Sequence, residues 1–134
     1  MGKFTRLLQD VLSIFGTTEW IAENIKVVPQ NFVSNSEVTE YLRVSVIPSE
    51  GGVNAQSTNG LIMIDIFTSQ GMGPFRASEL ADTLDSYLLG KSFNAGGSTT
   101  QVLKTSNMRI VSSKESLLCH AIYQVQFKHF HLEV

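Results

Sequence analysis

The chain has 134 residues, an apolar fraction of 43% and a formal net charge of −2. The length fits one domain of the commonest size and excludes a two-domain enzyme, while the apolar content excludes wholesale disorder. Ten lysine and arginine residues against twelve acidic residues give no basic excess, so tight phosphate-led binding of nucleic acid is not expected.

The surface is predicted to be polar but weakly charged. Charged residues make up 16% of the chain, whereas serine, threonine, asparagine and glutamine together number 39. Cys119 is the one cysteine, so an internal disulfide is impossible and nothing points to an oxidising compartment. No signal peptide or membrane-spanning run is recognisable, and we expect a soluble protein that folds in the cytoplasm, with no membrane partner.

The first predicted element is an amphipathic helix. Its apolar residues recur with helical spacing, and Gly16 stands where a left-handed C-cap would end the helix. Because the polar face has few cations and includes Asp10, we expect the apolar stripe to pack against its own domain rather than on a membrane surface. The stripe comprises Phe4, Leu7, Leu8, Val11, Leu12 and Phe15.

A strand hairpin is predicted next. Val27 and Val28 precede Pro29 and suit an edge strand. Residues 41–48 alternate so that Leu42, Val44 and Val46 share one face and Tyr41, Arg43, Ser45 and Ile47 the other. Residues 60–67 alternate in the same way, with three isoleucines on one face and Asp65 on the other. The connection from Ser49 to Asn59 is a long, polar hairpin tip.

The second half of the chain repeats the scheme of helix and hairpin. Residues 74–89 predict a helix whose buried face is Ala77, Leu80, Ala81, Leu84 and Leu88, closed by Gly90. Residues 93–100 read as a loop, and the strands that follow form a second hairpin with a turn near residues 112–114.

This order of elements predicts a single α+β domain over residues 1–134, in which one mostly antiparallel sheet carries two helices packed on one face. The opposite sheet face would present Tyr41, Arg43, Ser45 and Ile47. Such a mixture of polar and apolar side chains suits a face covered by a neighbouring subunit, and an ordinary solvated face has the same composition.

The sequence offers little for catalysis. Asp65 is the acid inside an apolar strand, and pairing with Arg43 of the neighbouring strand accounts for it better than a catalytic role. His129, His131 and Glu133 form an alternating series that could bind a metal, but the series is short and terminal, so a structural role is favoured. Cys119 and His120 are adjacent on a strand and point to opposite faces, which excludes a thiolate–imidazole pair.

Two features near the second helix could also have a functional role, but a structural explanation is again favoured for each. Glu79, Asp82 and Asp85 form an acidic ridge that could hold Mg²⁺ or face a partner, although most such ridges are simply solvated. Gly71 and Gly73 resemble part of a phosphate-binding turn but lack the remaining residues of that motif, so a turn is the better interpretation. No cofactor or metal is predicted, and the chain is not expected to be an enzyme.

Several strings, taken in order, resemble the tail terminator proteins of long-tailed, non-contractile bacteriophages. They are an aromatic-Leu-Arg-Val strand ending in proline over residues 41–48, a Gly-apolar strand ending near a phenylalanine over residues 60–67, a G-x-G turn over residues 71–73, and a Leu-Ala-Asp helix centre over residues 80–82. The resemblance extends over roughly residues 1–130, and its weight rests on the order of the motifs.

The resemblance implies a virion protein of hexameric form. Six copies would make a ring on the head-proximal end of the tail tube, stop tube growth, contact the tail tube protein and the head-completion protein, and let DNA pass without specific binding. The polar tips and the second sheet face would carry the contacts. Another head-tail connector subunit is the alternative, and a small metal-dependent enzyme using Asp65, His129 and His131 is a further one. The candidate interface residues are Ser49, Glu50, Gly51, Gly52, Asn54, Gln56, Asn94, Ser98, Thr99, Tyr41, Arg43 and Asp65.

Overall fold

The computed structural model describes residues 3–28, 40–49, 58–69, 73–93, 99–111 and 118–130. Three helices, one more than the two predicted, and six strands follow one another along this part of the chain. Their bounds are α1 Lys3–Ser13, α2 Thr18–Ala22, β1 Val27–Val28, β2 Tyr41–Ser49, β3 Thr58–Ser69, α3 Gly73–Leu88, β4 Ser92–Phe93, β5 Thr99–Val111 and β6 Leu118–Phe130.

All six strands belong to one sheet, in the order β1-β2-β3-β6-β5-β4. The α+β class and the two hairpins predicted from the sequence are therefore confirmed. The sheet is mixed, because β1 runs parallel to β2 while the other four pairings are antiparallel, and it curls into half a barrel. The edge position predicted for Val27 and Val28 is also confirmed.

Helix α1 buries a different stripe from the one that its apolar spacing predicts. Leu7, Val11 and Ile14 are buried, but Phe4, Leu8 and Leu12 are about half exposed, at 54%, 46% and 48%. Asp10 is fully buried as well, so the side of the helix that faces the core is centred on Leu7, Asp10, Val11 and Ile14. The buried face therefore includes a carboxylate that hydrophobic periodicity cannot predict.

The end of α1 also differs from the prediction. The helix stops at Ser13 and tightens into a 3-10 turn over Ile14–Gly16, and Gly16 does not have the positive φ of a left-handed cap. Thr17 then caps α2, because its side-chain oxygen accepts a hydrogen bond from the backbone N–H of Trp20 at 3.2 Å. The chain thus turns directly from one helix into the next.

Helix α3 matches the prediction closely. Its five predicted core residues are all buried, and Gly90 has a φ of 70°, the left-handed geometry that closes a helix. Together with side chains from α1 and from the four long strands, these residues form one apolar cluster. In the part of the chain that the structure describes, no helix is long and apolar enough to cross a membrane.

A bulge interrupts the pairing of β5 with β6. Val102 pairs with Phe127 and Ser106 with Val125, so β5 advances four residues while β6 advances two. The chain leaving α3 bonds to β5 beside this bulge: the Gly90 N–H donates to the Leu103 carbonyl at 3.2 Å, and the Val102 N–H donates to the Lys91 carbonyl at 2.9 Å. The bulge therefore fixes the end of α3 against the sheet.

Candidate functional site

One face of the sheet carries the predicted interface residues of β2 and β3, and we call it the Arg43 face. The register places Arg43 opposite Asp65, Asp65 opposite Ile122, and Ile122 opposite Arg109. Side chains opposite each other in paired antiparallel strands lie on the same side of the sheet. The Arg43 face therefore comprises odd-numbered residues of β2 and β3, even-numbered residues of β6, and Thr99, Gln101, Asn107, Arg109 and Val111 of β5.

Asp65 is the electrostatic centre of this face. One carboxylate oxygen accepts from Nε of Arg43 at 3.3 Å, and the other lies 2.9 Å from Nε2 of His120. The Asp65 side chain is only 7% exposed, so the two partners compensate a carboxylate that water hardly reaches. The Arg43–Asp65 pair is the one predicted from the sequence, and His120 is a partner that the sequence analysis missed.

Aromatic rings pack around the same ion pairs. Phe67 stacks between Tyr41 and His120, with ring centroids 4.6 Å and 4.4 Å away, and the Arg43 guanidinium lies 5.2 Å from the Phe67 centroid. The stack holds the imidazole at the carboxylate and the guanidinium above the ring. This arrangement fixes the side chains of three strands into one rigid patch.

Further along the face lies a shallow cleft of about 420 Å³. Ile47, Leu61 and Leu103 supply apolar side chains to its lining, and Gln126 and Lys128 supply polar ones. Ile47 is 41% exposed, on a part of β2 that β1 does not cover, because β1 pairs only with Leu42 and Arg43. With exposed Arg109 and Lys128 nearby, this face combines apolar surface with positive charge.

His129 belongs to a buried polar cluster rather than to a metal site. Its Nδ1 lies 2.7 Å from the Thr100 hydroxyl and 3.5 Å from the Asp10 carboxylate, and the same hydroxyl donates to Asp10 at 2.7 Å. Alternation along β6 places His129 on the opposite side of the sheet from Asp65, so the two cannot share a metal. No group of three potential metal-ligating side chains occurs among the described residues, and His131 lies outside them.

The predicted acidic ridge divides into two parts. Glu79 and Asp82 are exposed on α3, but Asp85 accepts hydrogen bonds from the Tyr123 hydroxyl at 2.7 Å and the Ser106 hydroxyl at 2.6 Å. Burial, reinforced by the bond to Asp85, raises the pKa of Tyr123 well above its usual value. Asp85 therefore anchors α3 to β5 and β6, which solvation of the whole ridge would not predict.

The structure brings together only part of the predicted interface. Tyr41, Arg43 and Asp65 lie in the aromatic and ionic patch, Ser49 is exposed at the end of β2, and Thr99 is half-buried at the start of β5. Alternation of His120 with Ile122 is the signal that could have found the missing partner of Asp65. The remaining predicted residues, together with the Cys119 side chain and Gly71, lie outside the part that the structure describes: Glu50, Gly51, Gly52, Asn54, Gln56, Asn94 and Ser98.

Comparison with known proteins adds information about the fold. No protein-family model matches the chain, and no curated protein matches it. A solved structure whose name describes no activity superposes with a TM-score of 0.68 at 14% identity, over 97% of this chain and 94% of that one. At this identity the likeness establishes a shared fold over nearly the whole of both chains and nothing about activity.

Proposed function

We propose that this chain is a structural subunit of a bacteriophage tail, in which six copies form a ring on the head-proximal end of the tail tube. The ring stops tube polymerisation and offers a surface to the head-completion protein. The observation that carries the proposal is the Arg43 face, where a rigid ionic and aromatic patch lies beside an apolar cleft and exposed cations. Such a surface favours a protein contact, because it combines apolar area with fixed, directional charges.

The motifs that resemble the tail terminator family support the same proposal. The aromatic-Leu-Arg-Val motif lies on β2, the Gly-apolar motif on β3, and the Leu-Ala-Asp motif at the centre of α3. These are consecutive elements of the chain: β2 and β3 contribute to the Arg43 face, and α3 contacts β3. Three of the four motifs therefore lie on neighbouring elements, and the fourth, over residues 71–73, lies mostly outside the described residues.

We further propose that α1 and α3 cover the sheet face opposite to the Arg43 face. Asp85 of α3 bonds to Tyr123 and Asp10 of α1 bonds to Thr100, and both strand residues alternate away from the Arg43 face. The subunit then has two chemically different sides. Two different sides are what head-to-tail contacts require, and such contacts build a ring when the rotation between successive copies closes.

The charge of the chain fits a ring through which DNA slides. A subunit charge of −2 gives the hexamer a formal charge of about −12, which does not retain a polyanion. We expect no measurable shift of a short duplex at about 150 mM salt. Micromolar binding with a log–log salt slope steeper than about −4 would contradict a passive channel, since it requires several phosphate contacts.

Light scattering and negative-stain imaging of the purified chain test the proposal directly. The expected particle is a ring with a mass of about 89 kDa, six times the 14.8 kDa of the chain. Added to polymerising tail tube protein, the chain should shorten the tubes and sit at one end of each. A monodisperse monomer at high concentration that leaves tube length unchanged would contradict the proposed function.

The hairpin tip provides a second test. Shortening residues 51–56 should leave the melting temperature nearly unchanged, because a Gly-Gly-Val-Asn-Ala-Gln sequence has too few apolar side chains to form a core of its own. Ring formation or docking to the tube should be lost. Normal assembly of the shortened chain would show that residues 51–56 are not part of the interface.

A further inference from the structure

We infer that the Arg43 face of one copy docks on the exposed side of α3 of the next copy. This inference rests on the proposed ring and names the two surfaces that build it. The occupant of the face is thus a second copy of this chain, presented through one helix. The argument combines the chemistry of α3, the charge of the two surfaces and their dimensions.

The exposed side of α3 carries an ordered set of side chains, which we call the α3 stripe. Phe75, Glu79, Asp82 and Ser86 are all exposed, and they follow one another at helical spacing. Phe75 is 73% exposed, more than any other large apolar side chain in the described residues. In a contact with another chain, the exposed aromatic ring can be buried as an anchor and the two carboxylates can orient the partner.

The charges of the two surfaces are complementary. The Arg43 face has three cations, Arg43, Arg109 and Lys128, against the single carboxylate of Asp65 among its described residues. The α3 stripe has two carboxylates and no cation. Arg43 bonds to Asp65 through Nε, so its terminal nitrogens are positioned for a carboxylate from another chain. Opposite charges on two surfaces of the same subunit favour pairing between copies over repulsion.

The dimensions of the two surfaces also agree. Phe75 and Asp82 are separated by about 10 Å along α3, given a rise of about 1.5 Å per residue. Ile47 in the cleft and Arg43 are separated by about 13 Å along β2, given about 3.3 Å per residue. The difference is within the reach of the side chains. With the Phe75 ring in the apolar cleft, the Asp82 carboxylate therefore arrives at the row of Arg43 and Arg109. Glu79, about 6 Å along α3 from Phe75, then lies between the cleft and that row.

The two surfaces lie on opposite sides of the subunit. Asp85 on the inner side of α3 bonds to Tyr123, and Tyr123 alternates away from the Arg43 face along β6. A contact between opposite sides is heterologous, so each copy can bind one neighbour on each side. Repetition of this contact does not end at a closed pair, and it generates the proposed ring when the rotation between successive copies is one sixth of a turn.

Charge reversal with complementation tests the inference. The face variant carries Arg109→Glu and Lys128→Glu, which changes the net charge of the Arg43 face from +2 to −2 and leaves Arg43 bound to Asp65. The stripe variant carries Glu79→Lys and Asp82→Lys. All four positions are exposed, so the variants should fold with unchanged melting temperature. Each variant alone should need a concentration at least about a hundredfold higher to assemble, because like charges then meet.

An equimolar mixture of the two variants should recover the ring. In the mixture, each reversed surface finds an oppositely charged neighbour, and strict alternation of the two variants closes a ring of six because six is even. Glu19→Lys, an exposed reversal on α2, is the matched control and should assemble like the unmodified chain. Phe75→Ser should weaken assembly without changing any charge.

The outcomes separate the inference from the proposed function. If the unmodified chain forms the ring and either variant still assembles normally, or if the mixture fails to recover it, the inference is wrong while the ring stands. If the unmodified chain forms no ring, the proposed function fails and the interface with it. If the face variant loses binding of duplex DNA that the unmodified chain shows, the Arg43 face serves nucleic acid and the inference is overturned.

Discussion

The carboxylate of Asp10 and the imidazole of His129 lie 3.5 Å apart in the interior, one on the first helix and the other on the last strand. Neither side chain is exposed to solvent. The Thr100 hydroxyl lies 2.7 Å from each of them and donates its hydrogen bond to Asp10. This cluster ties α1 to β5 and β6 through polar contacts, and the buried Thr58 of β3 lies opposite His129.

Replacing the bridging residue tests how much the cluster contributes to stability. Thr100→Val keeps the shape of the side chain but leaves Asp10 and His129 with one hydrogen-bond partner fewer, and this should cost about 1–3 kcal/mol. Urea unfolding measures the loss. Thr105→Val, at an exposed position in the same strand, is the control and should change stability by less than about 0.5 kcal/mol. Equal midpoints for the two variants would show that the cluster is energetically neutral.

The centre of α3 should be the most sensitive part of the apolar core. Leu84 is completely buried, and Leu84→Ala should lower the free energy of unfolding by about 2–5 kcal/mol through lost transfer energy and the cavity left behind. Leu12→Ala removes the same atoms from a side chain that is 48% exposed and should cost far less. Thermal melting of both variants checks the contrast, and a melting temperature of Leu84→Ala within a degree or two of the unmodified chain would refute it.

Two glycines should respond in opposite ways to the addition of one methyl group. A Cβ at Gly60 would overlap the Ile47 carbonyl oxygen and lie 2.9 Å from the Phe127 ring, whereas at Gly16 it would meet nothing within 4 Å. Gly60→Ala should therefore destabilise the protein by more than about 1 kcal/mol, because β2 or β6 must move. Gly16→Ala should be neutral or stabilise it by up to about 1 kcal/mol, since the unfolded chain loses freedom. Denaturant midpoints that rank the two variants the other way would contradict this description of β3.

Alkaline pH should destabilise the fold through Tyr123. Burial and the bond to Asp85 raise the pKa of its phenol, so the folded chain keeps a proton that the unfolded chain releases above about pH 10. The stabilisation is complete below that pH and is lost as the pH rises further. Tyr123→Phe cannot ionise, so its stability should fall less steeply between about pH 9 and pH 11.

Urea midpoints across this pH range provide the measurement. At neutral pH, Tyr123→Phe should be less stable by about 1.5–3 kcal/mol, because a hydrogen bond to a carboxylate is lost. Ser106→Ala removes the other partner of Asp85 but keeps the phenol. Because the Ser106 hydroxyl lowers the pKa of Tyr123, the alkaline slope of this variant should be at least as steep as that of the unmodified chain. A shallow slope in Ser106→Ala would show that the alkaline loss of stability does not come from the Tyr123 phenol.

The strands could be predicted because the alternation that defines each of them lies within one short segment of the sequence. The alternation of residues 41–48 and 60–67 gives the correct faces, and the pairing of Arg43 with Asp65 follows from two short segments joined by a hairpin. Helix α3 could be predicted for the same reason, since its apolar stripe and closing glycine lie within sixteen residues and their flanks. Each of these features depends on neighbours that the sequence shows side by side.

The features that could not be predicted depend on partners far along the chain. From the sequence, Asp10 is expected on the surface of α1. Its burial depends on a hydrogen bond from Thr100, which lies 90 residues further along the chain. From the sequence, Asp85 is expected in a solvated acidic ridge. Its actual position depends on a hydrogen bond from the hydroxyl of Tyr123, 38 residues away. Hydrophobic periodicity predicts which apolar residues are buried. It cannot predict a buried polar group whose hydrogen-bond partner lies far away in the sequence.

The strand order β1-β2-β3-β6-β5-β4 divides the sheet into two halves that are each continuous in sequence and that meet along β3 and β6. Each half contains two pairings between strands that follow one another in the chain, whereas the meeting of β3 with β6 requires closure of the whole intervening segment with α3. The slowest productive event in folding is therefore expected to be the joining of β3 to β6. Substitutions along that line should change the folding rate more than equally destabilising substitutions at the outer strands.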